Sequence, residues 1–178
     1  MLMLNQKTLR SLSWRRFWAR MFDYFLFGFI FMVLVANTFL PAAHPAYYFI
    51  AQTLFIITAE AVFLAQNNTT PGKKFLGLHV VGTQQRELSF ATAWYRTFWA
   101  YVKGLWLGLP VIMFVPAWFN RKVYESSGTT IWDEAARTEI ISYPSNLFRK
   151  IMFALIFLLI VFLIGNFALL QQGLSQLK

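Results

Sequence analysis

Apolar residues along this chain gather into four blocks, at about 22–40, 47–65, 98–119 and 151–170, each flanked by basic or turn-forming residues. The first, Phe22 to Leu40, runs FDYFLFGFIFMVLVANTFL with a single acid, Asp23. As a helix it measures about 28 Å, close to one hydrocarbon thickness, and it predicts a membrane span. PAAHPA follows, where Pro41 and Pro45 both oppose continued helix and predict a short turn. A second span, about Tyr47 to Ala65, returns and carries Glu60. A last span, about Ile151 to Leu170, follows Arg149 and Lys150 and leaves a short tail on the opposite side.

Ahead of the first span, residues 1–21 hold Lys7, Arg10, Arg15, Arg16 and Arg20 with no acid, while Trp14, Phe17, Trp18, Met21 and Phe25 recur at helical spacing. That combination predicts an interfacial amphipathic helix lying among headgroups before the chain turns into the bilayer, with the first span kept as an uncleaved anchor. Residues 66–97 are polar, with Lys73, Lys74, Arg86 and Arg96 against Glu87. Within them, Val80 and Val81 suggest a short strand ending at Gly82; TEIISY, near residue 140, has the same character, and the two segments are candidates for a small β pairing.

The third block, Phe98 to Phe119, is interrupted by Gly104, Gly108, Pro110 and Pro116 and charged by Lys103, so it either crosses the membrane or folds back. If it crosses, Arg121, Lys122, Arg137, Arg149 and Lys150 lie outside in one short loop, against the positive-inside rule. A broken or re-entrant hairpin keeps them inside, and non-helical backbone is tolerated at depth where protein covers it. The hairpin also sets Trp14, Trp18, Trp94, Trp99, Trp118 and Trp132 near one interface. The expected fold is therefore an all-α polytopic membrane bundle of three spans plus a broken hairpin, with four spans as the alternative. Its segments are a basic interfacial helix (1–21), a membrane domain (22–145) that includes the loop 66–97, the hairpin 98–119 and the segment 120–145, and a C-terminal span with its tail (146–178).

Composition agrees. Of 178 residues, 58% are hydrophobic and 13% charged, far from the balance of a soluble domain. Cysteine is absent, which removes thiolate metal sites, cysteine nucleophiles and disulfides. The net charge of +9 sits at the flanks of the apolar blocks rather than in a nucleic-acid stripe, so anionic lipid headgroups are the expected partners and nucleic acid is not.

Chemistry is sought first at ionisable groups within or beside spans, because an unpaired charge in hydrocarbon costs at least about 2.5 kcal/mol. Asp23 and Glu60 come to similar depth on antiparallel spans, and Arg16 and Arg20, seven and four residues before Asp23, share its helical face. An Arg-to-carboxylate cluster facing the bundle interior follows. It reads either as structural, fixing helix register, or as a proton- or cation-binding site. Gly72 to Gly77 lacks P-loop spacing and reads as a turn at the membrane surface rather than a nucleotide site. His44 and His79 fall on opposite sides of the membrane with no ligating neighbours, so no metal is expected. The Asn67 and Asn68 sequons lie on the cytoplasmic side, where glycosylation is not expected. No Ser/His/Asp set shares one depth, so neither hydrolase chemistry nor any other enzymatic activity is expected, and no cofactor is implied.

WRRFWARMFDYFLFG, TPGKKFLGLHVVG, ELSFATAWYRTF and GTTIWDEAARTEII, in this order, resemble the RDD family of bacterial membrane proteins, over about Trp14 to Ile141. The resemblance maps that family's Arg, Ala and Asp onto Arg16, Ala19 and Asp23, with Arg20 a competing arginine. Its second aspartate falls on Asp133, its Gly-Lys-x-x-x-Gly segment on Gly72, Lys73 and Gly77, and its following arginine on Arg96. Trp132 stands where many relatives carry histidine, and the last span looks like an addition to the common core. The resemblance implies a bacterial cytoplasmic-membrane protein with its N-terminus inside. Some relatives act as sodium/proton antiporters, so transport of a small ion or polar solute through Arg16, Arg20, Asp23, Glu60, Arg96 and Asp133 is the expected function. The alternative is a non-transporting subunit that docks partners through its basic cytoplasmic face. Three or four helices hardly enclose a pathway, so transport implies a homo-oligomer or partner subunits, with Gly28, Gly104 and Gly108 as close-packing points.

Overall fold

The computed structural model describes residues 6–36, 44–83, 87–108 and 112–175, with the side chains of 35–36 and 168–175 excepted. Pro41, Arg86 and Pro110 lie outside the described residues. Helix α1, Gln6–Ile30, ends in one wider π turn, Phe31–Ala36. It is one helix from its basic half into its apolar half. The expected turn at residue 21 is not formed, because Ala19, Met21, Phe22 and Asp23 are all buried and pin the junction against the rest of the bundle.

Helix α2, Pro45–Asn67, starts with proline in its first turn and with His44 Nδ1 accepting the Ala46 N–H at 3.3 Å. It stops at Asn68, which is left-handed with φ 55° and returns its N–H to the Leu64 carbonyl. A one-turn helix α3, Pro71–Phe75, then leads to strand β1, Leu78–Gly82. Helix α4, Phe90–Gly104, begins inside the stretch expected to be loop, with Ser89 capping the Thr92 N–H at 3.2 Å. After a 3₁₀ turn, Trp106–Gly108, helix α5 runs Phe114–Ser127 and ends at Gly128 with φ 75°. Helix α6, Ile131–Ala135, strand β2, Thr138–Ser142, and helix α7, Leu147–Ser175, complete the chain.

Three of these helices are long and apolar enough to cross a membrane: Gln6–Leu34, Pro45–Asn67 and Leu147–Phe167. Helices α4 and α5, of 15 and 14 residues, are each about 21–22 Å long and fall short of a hydrocarbon core of about 30 Å. They form the broken hairpin, and Asn120 Nδ2 of α5 donates to the Lys103 carbonyl of α4 at 3.0 Å. The fold is an all-α polytopic bundle with one two-stranded ribbon, in which β1 and β2 pair antiparallel with Val80 opposite Ile140.

An internal repeat underlies this arrangement. Thr70 and Thr130, α3 and α6, β1 and β2 are each displaced by 60 residues, and so are the left-handed pairs Asn68/Gly128 and Gly77/Arg137. The ribbon register centres on Val80 and Ile140, which are themselves an equivalent pair, so the two strands exchange under an approximate two-fold rotation. Backbone bonds at its ends obey the same exchange: Thr83 N–H donates to the Arg137 carbonyl at 2.9 Å and Tyr143 N–H to the Gly77 carbonyl at 2.8 Å. Helix contacts follow, since α3 packs on α1 as α6 packs on α4, and α2 meets α4 as α5 meets α1. Each unit is thus a helix pair, a one-turn helix and a strand. Helix α7 stands outside the repeat and rests Phe153 and Phe157 on Phe22, with Phe22 and Phe153 stacked at 5.0 Å between centroids.

Candidate functional site: a buried charge cluster between the two repeats

Asp23 is fully buried on α1, facing the start of α3. Its Oδ1 accepts the Gly72 backbone N–H at 2.7 Å, and its Oδ2 accepts the Thr70 hydroxyl. A Cβ at Gly72 would collide with the Ala19 carbonyl and stand 3.0 Å from Asp23 Oδ1, so glycine here and alanine at 19 are what let the short helix touch α1. Gly77, with φ 65° and the Tyr143 carbonyl 2.6 Å from where a Cβ would stand, is required by conformation and space alike. Neither arginine of the α1 face reaches Asp23. Its cationic neighbour is Lys73, with Nζ 3.6 Å from Oδ2.

Lys73 also donates to Glu60 Oε1 at 2.6 Å and to Thr70 Oγ1 at 3.1 Å. The ammonium therefore joins the carboxylates of two membrane-crossing helices. Read from sequence, Lys73 belonged to a surface turn; the structure buries it to 4% exposure at the centre of the cluster. Gly72 and Lys73 lie in a helix, which corrects the turn assigned to them.

The second unit uses the same frame with opposite charges. Asp133 occupies the place on α6 that Lys73 occupies on α3, and it is gripped from three sides. Arg96 of α4 donates through Nε at 2.9 Å and Nη2 at 2.6 Å to Oδ1; Arg16 of α1 pairs with Oδ2; Thr130 donates to Oδ2 at 2.6 Å. Burial alone would raise the Asp133 carboxyl, but Arg16 and Arg96 outweigh it and hold the group well below the usual carboxylate range. Arg96, on the arm that enters the hairpin, and Asp133, after the arm that leaves it, are in contact, so the chain returns to its starting side. A crossing at 98–119 would part them by a bilayer.

Arg20 shares the α1 face of Arg16 and Asp23 but lies over the Trp132 ring at 4.6 Å. Trp132, expected in an interfacial belt, is 4% exposed and serves instead as this arginine's platform. Trp18 and Trp118 are exposed, as a belt requires. Gly104, expected to let helices approach, instead makes room for Arg20 and Trp132, whereas Gly28 does face α2, with Gln52 Nε2 3.2 Å from where its Cβ would stand. Sequence reasoning also missed Arg15, which donates to the Leu76 carbonyl and to the Tyr143 carbonyl at 2.8 Å and so ties α1 to the ribbon. Its polar spacing in a basic stretch gave no sign of that role.

The chain belongs to the RDD family of membrane proteins, whose family model matches residues 10–176. The match extends past Ile141 through α7, so the last helix falls within the family's pattern rather than being appended to it. No curated protein and no solved structure matches the chain.

Proposed function

We propose that this protein carries a small ion or polar solute across the bacterial cytoplasmic membrane, by cation/proton exchange at Asp23 and Glu60, with its N-terminus on the cytoplasmic side. One observation carries this reading: two buried carboxylates on separate spans share a single ammonium, Lys73 Nζ, at 2.6 Å and 3.6 Å. A proton on either carboxylate removes the attraction for Lys73, and a cation entering between them replaces it. Proton and cation then compete for the same oxygens, which is the elementary requirement for exchange. Asp133, fixed between Arg16 and Arg96, stays ionised throughout this scheme. Three spans and a hairpin cannot surround a pathway, so the transporting unit is a homo-oligomer or includes partner subunits.

The test is sodium-driven proton flux in vesicles reconstituted with the purified protein. Asp23→Asn and Glu60→Gln are each expected to lower the rate at least about tenfold while leaving the protein in the membrane. Wild-type flux no greater than that of protein-free vesicles overturns the proposal and leaves the chain as a docking subunit.

A further inference from the structure

Beside the cluster, between α1, α5 and α6, lies a cavity of about 50 Å³. A water needs about 10–15 Å³ on this measure, so there is room for roughly three to five oxygen-sized atoms. Five cations line it: Arg16, Arg20, Lys73, Arg96 and Arg121. No carboxylate does. Of the neutral groups on its wall, Asn120 and Thr130 already donate elsewhere, while Trp132 Nε1 has no partner.

Four of the five cations already have acids. Arg16 and Arg96 pair with Asp133, Lys73 with Glu60 and Asp23, and Arg121 with Glu125. Arg20 does not: among the described residues, which include every Asp and Glu of the chain, none lies within 4.0 Å of its guanidinium. Glu60 feels its field but is claimed by Lys73. Guanidinium cannot shed its proton, so Arg20, half-buried against Trp132, keeps a positive charge with no carboxylate in contact with it. Residues that line the same space hold spare donors, for Arg96 Nη1, Arg121 Nε and Trp132 Nε1 have no hydrogen-bond partner within the protein, although Arg96 is wholly buried and Trp132 nearly so. Unpaired buried donors and a half-buried cation with no acid in contact are satisfied together by an anion with several acceptor oxygens.

We infer that this cavity is a binding site for a phosphate-class oxyanion, with Arg20 as its principal counterion. The anion is either free phosphate or the phosphate of an anionic lipid, because Trp14 and Trp118, which flank Arg121 at 4.3 Å, belong at headgroup depth. The inference does not rest on transport, since occupancy is read without flux.

Thermal unfolding of the delipidated full-length protein in neutral detergent tests it. Inorganic phosphate is compared with chloride at equal ionic strength, and phosphatidylglycerol with diacylglycerol. Stabilisation by phosphate points to the free anion, and stabilisation by phosphatidylglycerol alone to a lipid headgroup; both support the site. Arg20→Gln is expected to raise the concentration needed for half the effect by about tenfold or more, equivalent to one charge-assisted bond, while Lys150→Gln leaves it unchanged. If Arg20→Gln does not fold, Gly104→Ala replaces it. That variant keeps every charge but places a methyl 3.0 Å from Arg20 Nη1 and 3.2 Å from the Trp132 ring, and it is expected to weaken the response several-fold. The inference is overturned if neither phosphate nor phosphatidylglycerol stabilises the wild type beyond its control, or if the response survives undiminished in the variant that folds.

Discussion

Asp133 shows how much one side chain can organise. It answers two arginines from two different helices, Arg96 wholly buried and Arg16 mostly so, and removing its charge leaves both unanswered. Breaking such a pair from one side costs about 3–5 kcal/mol, so Asp133→Asn is expected to unfold at markedly lower temperature near neutral pH. The pH dependence follows from the depressed carboxyl. A group whose folded pKa lies below its unfolded value, about 3.9, contributes in full above that value and loses the contribution as pH falls toward the folded pKa. The gap between wild type and Asp133→Asn should therefore be constant from pH 7 to about 5 and shrink by up to about 1.4 kcal/mol per unit below 3.9. A gap that widens on acidification would mean that Asp133 is not held ionised by its arginines. Several of these residues were legible in the sequence for a plain reason: a carboxylate within an apolar block must have a partner, and helical spacing put Arg16, Arg20 and Asp23 on one face. Lys73 was not legible, because a lysine in a polar stretch looks solvated until the chain around it is folded.

At the scale of elements, α3 and α6 are too short to be stable alone, and each is held by a threonine that precedes it. Thr70 donates to Asp23, and Thr130 to Asp133. Equivalent positions with separate acceptors predict equivalent losses: Thr70→Ala and Thr130→Ala should each cost about 1.5–3 kcal/mol, as bonds to charged groups do. The double variant should lose the sum within about 0.5 kcal/mol. A double loss far from the sum would show that the two half-clusters act as one network. The spans were readable from their apolar runs, and TEIISY and the segment at Val80 from strand character, but their pairing was no more than a candidate until the register was seen. Boundaries were not readable, since the basic half of α1 and its apolar half differ in composition but not in backbone, and α4 begins within polar residues at the Ser89 cap. The repeat escaped notice because equivalent positions keep a role while changing residue: only Thr69–Thr70 and Thr129–Thr130 match outright, and Lys73 opposes Asp133 in charge.

For the whole molecule, the hairpin decides which faces share a side of the membrane. Single cysteines introduced at Ser126, at the end of α5, and at Ser175, at the end of α7, test this without interference, because the chain has no cysteine of its own. Ser126→Cys is expected to react with an impermeant maleimide only from the cytoplasmic side and Ser175→Cys only from the other. Reaction of both from one side would contradict three crossings. The two-fold ribbon also bears on the order in which the molecule comes into being. Asp133 is made 117 residues after Arg16, roughly 6–25 s later at ordinary rates of translation. Over that interval the first unit emerges with Asp23, Glu60 and Lys73 able to satisfy one another, while Arg16 and Arg20 have no acid of their own. Until the second unit arrives those two arginines have no acid within the chain made so far, so the charges left open in the first unit are the ones that later join its halves, through Asp133 for Arg16 and the Trp132 ring for Arg20.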